Sequence, residues 1–440
     1  MRFLLRTAAC AALVLLASCG GGSDDPYDKS FVCSPNDDKR WLQAYMGENY
    51  FWAGRSPVAA PDDYADVDAY LDALRFKGDA DEPADRFSYI DTRASFDQFF
   101  VEGRTLGYGV SVNGVEGTLP LKIRYVDPES PAAAAGLRRG DTVVAANGTP
   151  AAQLVASKDF SVLSPSRENE VLTLDVESGG VARKVPLTST TYKLVPVTAT
   201  SVFTLANGSK AGYLSLKDFI TQAETPLAES IAQIRQAGAT ELILDLRYNG
   251  GGRVSTAAQL GSLVTGATHA GKLFTQLVFN PRRQSLNSNY WLQNRPGPAF
   301  PRVVVLTGSR TCSASEMVVN GLKPYAEVVT IGGTSCGKPV GFTPQDWCDN
   351  VYSIVNFESL NANGQGRYYN GLPLTCPVSD DFNRDLGDPA ETLTAAAIGY
   401  LQTGACPATA GGGAGTASLL QRADVPRVIE PGQRSGMWAD

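Results

Sequence analysis

The 440-residue sequence predicts a multidomain chain of mixed α/β and β architecture, and three observations carry that prediction. The length exceeds what one hydrophobic core ordinarily serves, so two or three domains are expected. From about Ala199, buried-strand patterns alternate with amphipathic helical ones, as in an α/β core. Between about Gly103 and Val197 the pattern is instead short strands separated by turn residues, which reads as a β-rich module. Composition is globular, with 43% apolar and 19% charged residues. A net charge of -7 and the lack of a dense Lys/Arg block argue against nucleic acid as a partner.

The first eighteen residues place Arg2 and Arg6 ahead of an apolar run too short to span a bilayer, which reads as a secretory signal. An ordinary signal would be cut after a small residue. Leu16-Ala17-Ser18-Cys19 instead resembles a bacterial lipoprotein box, which implies acylation of Cys19 and attachment to the membrane through that lipid. Gly20 after the cysteine resembles the pattern sorted to the outer membrane. The expectation is an exported lipoprotein on the periplasmic or cell-surface side, with residues 19–30 as a flexible tether. Cys33, Cys312, Cys336, Cys348, Cys376 and Cys406 remain, enough for up to three disulfides in an oxidising compartment. Neither CxxC nor HExxH occurs, so no metal is expected.

Residues 31–102 read as a small helical subdomain. DDKRWLQAYMGENYFW opens on an Asp cap and spaces Trp41, Tyr45, Phe51 and Trp52 at near-helical intervals, which makes them core aromatics. PDDYADVDAYLDAL, from Pro61, reads as a second short helix.

In the β-rich module, Leu121, Ile123 and Tyr125 alternate as a strand. Pro131 to Leu137 forms a short helix ended by Gly136, and Arg138-Arg139-Gly140-Asp141 turns into the strand Thr142–Ala145. SPAAAAGLRRGDTVVAANG, with GYGV upstream, resembles the central signature of a PDZ domain of the kind inserted in bacterial proteases, here spanning 103–197. The resemblance implies that Gly107, Tyr108, Gly109 and Val110 form the loop whose N–H groups receive a peptide's C-terminal carboxylate, while the adjacent strand edge pairs with the peptide. Glycines suit such a loop, because clustered donors need backbone shapes that a side chain blocks. Without the signature, the same residues read as a tight turn.

In the α/β part, GYLSLKDF is a strand and PLAESIAQIRQAG is a helix stopped at Gly238. ELILDLR, PRVVVLTG and AEVVTIGG are buried strands of the type covered by helices on both faces. They run into YNGGG (with a helix from about Ser255), into the serine-bearing turn, and into TSCGKPVGF. The functional site is therefore expected at the C-terminal ends of these strands.

TCSASEMVVNG sets two hydroxyls ahead of an apolar helical run. Ser313 with Glu316 three residues on also fits a capping box. The single histidine, His269, sits in an ATHAGK loop with nothing nearby to support a triad, and reads as a surface residue. Lys338 follows Ser313 by 25 residues, beyond one helix and one strand, a spacing that can bring both loops to the same sheet edge. A solvated lysine titrates near ~10.4 and cannot accept a proton at neutral pH. Flanked by Cys336, Gly337, Pro339, Val340 and Phe342, Lys338 has the apolar surroundings that disfavour the ammonium. A neutral Lys338 can then deprotonate Ser313. Taken singly, it reads as a loop lysine in water.

SASE, the GK that follows it and DLRYNGGG upstream, together with the PDZ insertion, resemble the carboxyl-terminal processing (tail-specific) serine peptidases over about residues 30–405. The resemblance implies a ClpP/crotonase-like α/β protease core at 198–405, with Ser313 as nucleophile and Lys338 as general base. It also implies hydrolysis of proteins captured by their C-termini, through an acyl-enzyme and without metal or organic cofactor. Ser315 is the nearest rival nucleophile, at the wrong spacing. Oxyanion donors are expected from Ala314, at the helix start, and from Gly251, with Gly252 nearly equal. The chain departs from the family twice: Phe342 stands where a glutamine orients the lysine, and Gly250 replaces the proline of an Asn-Pro-Gly-Gly turn. Cys312 and Cys336 flank the two catalytic candidates and would bridge if the loops meet.

Two other readings exist. Ser335-Cys336-Gly337-Lys338 fits the S-x-x-K of penicillin-binding proteins, but helix breakers flank it and K-T-G is missing. The chain could also be a non-catalytic PDZ-bearing peptide-binding lipoprotein. Residues 406–440 read as a flexible tail with no function assigned.

Overall fold

The computed structural model describes residues 33–408 and 436–439. The leader, Cys19 and the tether lie outside the described residues. Among those described, no helix is long and apolar enough to cross a membrane.

Helix α1 (Pro35–Asn49) starts earlier than its acidic residues predict. Ser34 is the N-cap, its hydroxyl accepting from the Asp37 N–H, and Pro35 occupies the first turn where its missing N–H costs nothing. Helix α2 (Val67–Leu74) is capped by Asp66, and Pro61–Asp63 forms only a 3-10 turn. Trp41, Tyr45 and Trp52 are buried as expected, while Phe51 is only partly so. Their cluster also includes Val340, Tyr352, Ile354 and Val355 of the α/β core, so this subdomain packs directly on the core. Tyr89–Thr92 pairs with Asn350–Ser353, and a Cys33–Cys348 disulfide fastens the same edge.

The PDZ module leaves and rejoins the rest of the chain at one place, because Arg104–Gly107 pairs antiparallel with Thr190–Lys193. Its core gathers Leu121, Ile123, Val143, Leu172, Leu174 and Val185. The hairpin Val171–Ser178/Val181–Thr188 turns at Gly179-Gly180, both at positive φ, as a tight two-residue turn requires.

The α/β core is a six-stranded sheet in chain order: β1 (Val197–Thr204), β2 (Lys210–Leu216), β3 (Glu241–Asp245), β4 (Arg302–Thr307), β5 (Glu327–Gly332) and β6 (Cys376–Pro377). Only the β1–β2 pairing is antiparallel. Helix α3 (Glu224–Gln236) lies between β2 and β3, α4 (Val254–Thr265) between β3 and β4, and α5 (Ala314–Leu322) between β4 and β5; α6 (Thr392–Thr403) follows β6. Strand alternation decides which side each residue serves. Leu242, Leu244, Val303 and Val305 pack with α3, α4 and α5, whereas Ile243, Val304 and Leu306 pack with α6. Both faces are covered, which is why these strands read as unbroken apolar runs.

The stretch expected to be a featureless tail is not one throughout. Cys406 is disulfide-bonded to Cys376, and Gly436–Trp438 forms a strand, because Met437 and Trp438 have apolar surface to bury.

Candidate active site

The turn from β4 into α5 carries Ser313, fully buried, with φ +61° and ψ -115°. A side-chain-bearing residue held at such positive φ costs about 1–3 kcal/mol, and such strain concentrates at functional sites. Cys312 immediately before it is disulfide-bonded to Cys336, with Cα atoms 5.0 Å apart. The serine turn and the lysine turn are therefore covalently joined.

Glu316 joins them a second time. One carboxylate oxygen accepts from the N–H groups of Ser313 (3.0 Å) and Lys338 (2.8 Å). The other accepts from the Ser335 hydroxyl (2.6 Å) and the Gly337 N–H (2.8 Å). Burial pushes this carboxyl above its ordinary range, and the four donors pull the other way. Gly337 is required in this turn: its φ is +78°, and a Cβ there would fall 2.1 Å from the Tyr369 carbonyl oxygen.

Lys338 is wholly buried, and burial pushes its pKa down to about 7; Asp85 and Glu316 keep it from falling further. Its Nζ lies 5.0 Å from the centroid of the Phe342 ring and 5.2 Å from that of Phe87. Phe342, in the place of a polar orienting group, thus contributes one wall of an aromatic cage. Such a cage excludes water from the neutral amine and offers π-faces to the ammonium once it takes a proton. Phe87 and Asp85 come from the N-terminal region. Asp85 is fixed by the Tyr50 hydroxyl (2.8 Å), the Ser88 hydroxyl (2.6 Å) and the Phe87 N–H (2.8 Å), and Arg86 donates to the Cys336 carbonyl (3.3 Å).

The glycine turn after β3 is organised by buried Asn249. Its side chain donates to the Leu216 carbonyl (3.1 Å) and accepts from the Gly251 N–H (2.8 Å), and its carbonyl accepts from the Cys312 N–H (3.1 Å).

Comparison with known proteins fits this arrangement. The profile of peptidase family S41 matches residues 210–365, that of the S41 N-terminal domain matches 37–89, and a PDZ-domain profile matches 122–178. The chain belongs to peptidase family S41. It is similar to a carboxyl-terminal-processing protease of Picosynechococcus, 24% identical over 421 residues that cover 92% of this chain and 93% of the relative. One from Synechocystis is 26% identical over 243 residues, 55% of each chain. The crystal structure of an S41 protein from Bacteroides fragilis superposes with a TM-score of 0.64 at 26% identity, covering 83% of this chain and 97% of that one. The photosystem II D1 C-terminal processing protease shares the fold, with a TM-score of 0.52 at 18% identity, over 79% of this chain and 94% of that one.

In this S41 chain the sequence-derived candidates sort as follows. Ser313 and Lys338 sit on turns tied by one carboxylate and one disulfide. Ala314 is the first residue of α5, where N–H groups lack helical partners. Gly251 is a correction: its N–H is turned back to Asn249 in a local side-chain turn, which leaves Gly252 as the glycine candidate. Ser315 donates its hydroxyl to both oxygens of Asn249 and is occupied as a structural group. Ser335 is engaged by Glu316 and Leu372 on a non-helical segment, so the S-x-x-K reading fails on geometry. His269 packs against Tyr325 with ring centroids 5.0 Å apart and the rings tilted by 44°. Gly107, Tyr108, Gly109 and Val110 form a turn between two strands, with the Tyr108 and Gly109 carbonyls accepting from Ala132 and Asp127.

One feature was not anticipated from sequence. Arg139, in the PDZ turn, is buried against the S41 core. It is bonded to Tyr248, Asp380 and the Arg124 carbonyl (2.7 Å), beside Arg247, which forks onto Glu391 at 2.7 and 2.9 Å. Burial alone would raise the Glu391 pKa; the Arg247 fork brings it down to about 2. Arg247 and Tyr248 lead directly into the glycine turn, so the PDZ module rests on the base of the site.

Proposed function

We propose that this S41 protein is a membrane-tethered serine endopeptidase working by a Ser313–Lys338 dyad. Neutral Lys338 takes the proton from Ser313 Oγ as that oxygen attacks a peptide carbonyl carbon. The tetrahedral oxyanion is received by the N–H groups of Ala314 and Gly252. The Lys338 ammonium then gives its proton to the leaving amine, the C–N bond breaks, and an acyl-enzyme remains. Water, deprotonated by the same lysine, hydrolyses that ester and restores the serine. The PDZ module, through the turn of Gly107–Val110, captures the C-terminus of the protein to be cut. Lipid on Cys19 would hold the enzyme on the periplasmic or cell-surface side. The three disulfides of the described residues support an oxidising compartment.

The observation that carries this reading is a water-excluded lysine on a turn sharing one carboxylate and one disulfide with the turn of a strained, buried serine. The test is cleavage of a protein with an unstructured C-terminal tail, followed by fragment masses. Wild type cuts, and Ser313→Ala loses at least a thousandfold in rate. Equal cleavage by both proteins would sink the dyad and leave a peptide-binding scaffold.

A further inference from the structure

The strand Gly436–Trp438 is paired on both sides by segments of the candidate site rather than lying on an outer edge. On one side it runs parallel to the glycine turn, with Gly251 opposite Gly436, Gly252 opposite Met437 and Arg253 opposite Trp438. On the other it meets the segment that follows Lys338. The Phe342 N–H donates to the Met437 carbonyl (2.9 Å), and the Ala439 N–H donates to the Phe342 carbonyl (3.1 Å). One flank is thus the glycine turn proposed to supply an oxyanion donor, and the other continues from the turn that carries Lys338. Gly341 allows this approach, since a Cβ there would come within 2.4 Å of the Met437 carbonyl oxygen.

Side chains are read in strand alternation. Met437, fully buried, and Ala439 point to the apolar cluster containing Phe219, Phe357 and α5. Trp438 points the opposite way, with ring centroids 5.8 Å from Phe96 and 5.7 Å from Phe100, and the Arg253 guanidinium 5.2 Å from its face. Main-chain pairing on the flanks with alternate side chains in pockets is how extended peptides are recognised by strand addition. The residues that hold the segment belong to remote parts of the sequence and converge on the groove: Phe96 and Phe100, Gly251–Arg253, and Phe342.

We propose that Gly436–Ala439 is a tethered occupant of the substrate groove, so that the protein is self-inhibited until a substrate strand displaces this segment. The inference rests on the peptidase reading above. It also names what the groove selects: an extended peptide with a large aromatic residue flanked by apolar ones. A covalently attached strand competes intramolecularly, so dilute free peptides are excluded while a substrate held by the PDZ module is not.

The test uses the full chain, a fluorescein-labelled Ser-Gly-Met-Trp-Ala peptide as the binding probe, and the tail-bearing protein as substrate. In the double variant Met437→Asp/Trp438→Ser, the probe should bind at least tenfold more tightly than to wild type. KM for the substrate should fall by a similar factor with little change in kcat. If the double variant fails to fold, Trp438→Ala replaces it and should gain at least threefold in probe affinity. Probe affinity unchanged in a folded variant would overturn the proposal and make the segment a structural strand. Repeating the binding on the Ser313→Ala background separates the two readings. Binding gained where wild type never cleaves keeps the groove assignment and removes the peptidase. Cleavage without any gain in binding removes the groove assignment alone.

Discussion

If Lys338 acts as a base, its proton affinity must be visible in both activity and stability. An ordinary lysine would be neutral in only about 3 molecules in 10,000 at pH 7, whereas one lowered to about 7 is neutral in about half. The rate constant kcat/KM should therefore rise with pH, bend near 7 and level off above 8. Stability follows from the same shift. Because the folded value lies below the unfolded one, the folded state binds fewer protons than the unfolded state between pH 7 and 10.5. Folding stability from this group thus rises with pH across that window, by about 5 kcal/mol for a shift of that size. Lys338→Met removes the buried charge, so it should raise the melting temperature at pH 6 by several degrees and have a much smaller effect at pH 10. The assays are hydrolysis of a fluorogenic peptide from pH 5.5 to 9.5 and thermal melts of both proteins at each end. A flat rate profile between pH 6 and 8, or a Lys338→Met variant less stable than wild type at pH 6, would refute the reasoning.

The other perturbations are more local. Glu316→Gln places an amide NH2 against backbone and hydroxyl donors that now face oxygens. It should cost about 3 kcal/mol in thermal or urea unfolding, and lower kcat at least tenfold with little change in KM. Unchanged kcat would mean that Glu316 does not position the two turns. Arg139→Ala breaks a buried ion pair and should destabilise by about 3 kcal/mol. Hydrogen exchange should then speed up at Tyr248–Gly252 as well as in the PDZ turn; acceleration confined to the PDZ turn would show that the contact does not reach the glycine turn.

The meeting of the Ser313 and Lys338 turns was legible because a strand–helix–strand unit is a local device: the loops after adjacent parallel strands come together at one sheet edge. Glu316 was legible as a helix cap, but only the fold reveals that the same carboxylate also holds Ser335, Gly337 and Lys338. Asp85 and Phe87 gave no signal, since their partners lie some 250 residues away and ADRFS resembles any loop. Gly251 was misassigned because sequence does not say which way an N–H points, and Asn249 turns this one inward. A bridge between Cys312 and Cys336 was foreseeable once Ser313 and Lys338 were paired, but the partners of Cys33 and Cys376 were not. Gly436–Trp438 is silent in the sequence for a related reason: three residues carry no periodicity, and a strand is defined by neighbours that the linear chain does not name.

The bridge between Cys312 and Cys336 also acts on timing. It closes a loop across a separation of 24 residues, for which chain entropy gives about 3.5 kcal/mol. Under reducing conditions the polypeptide lacks that clasp, and the turns of Ser313 and Lys338 are held together by Glu316 and by the Cys336 N–H donating to the Thr311 carbonyl (2.9 Å). The two turns are riveted only in an oxidising space, so the geometry of the candidate site is coupled to the redox state of its surroundings.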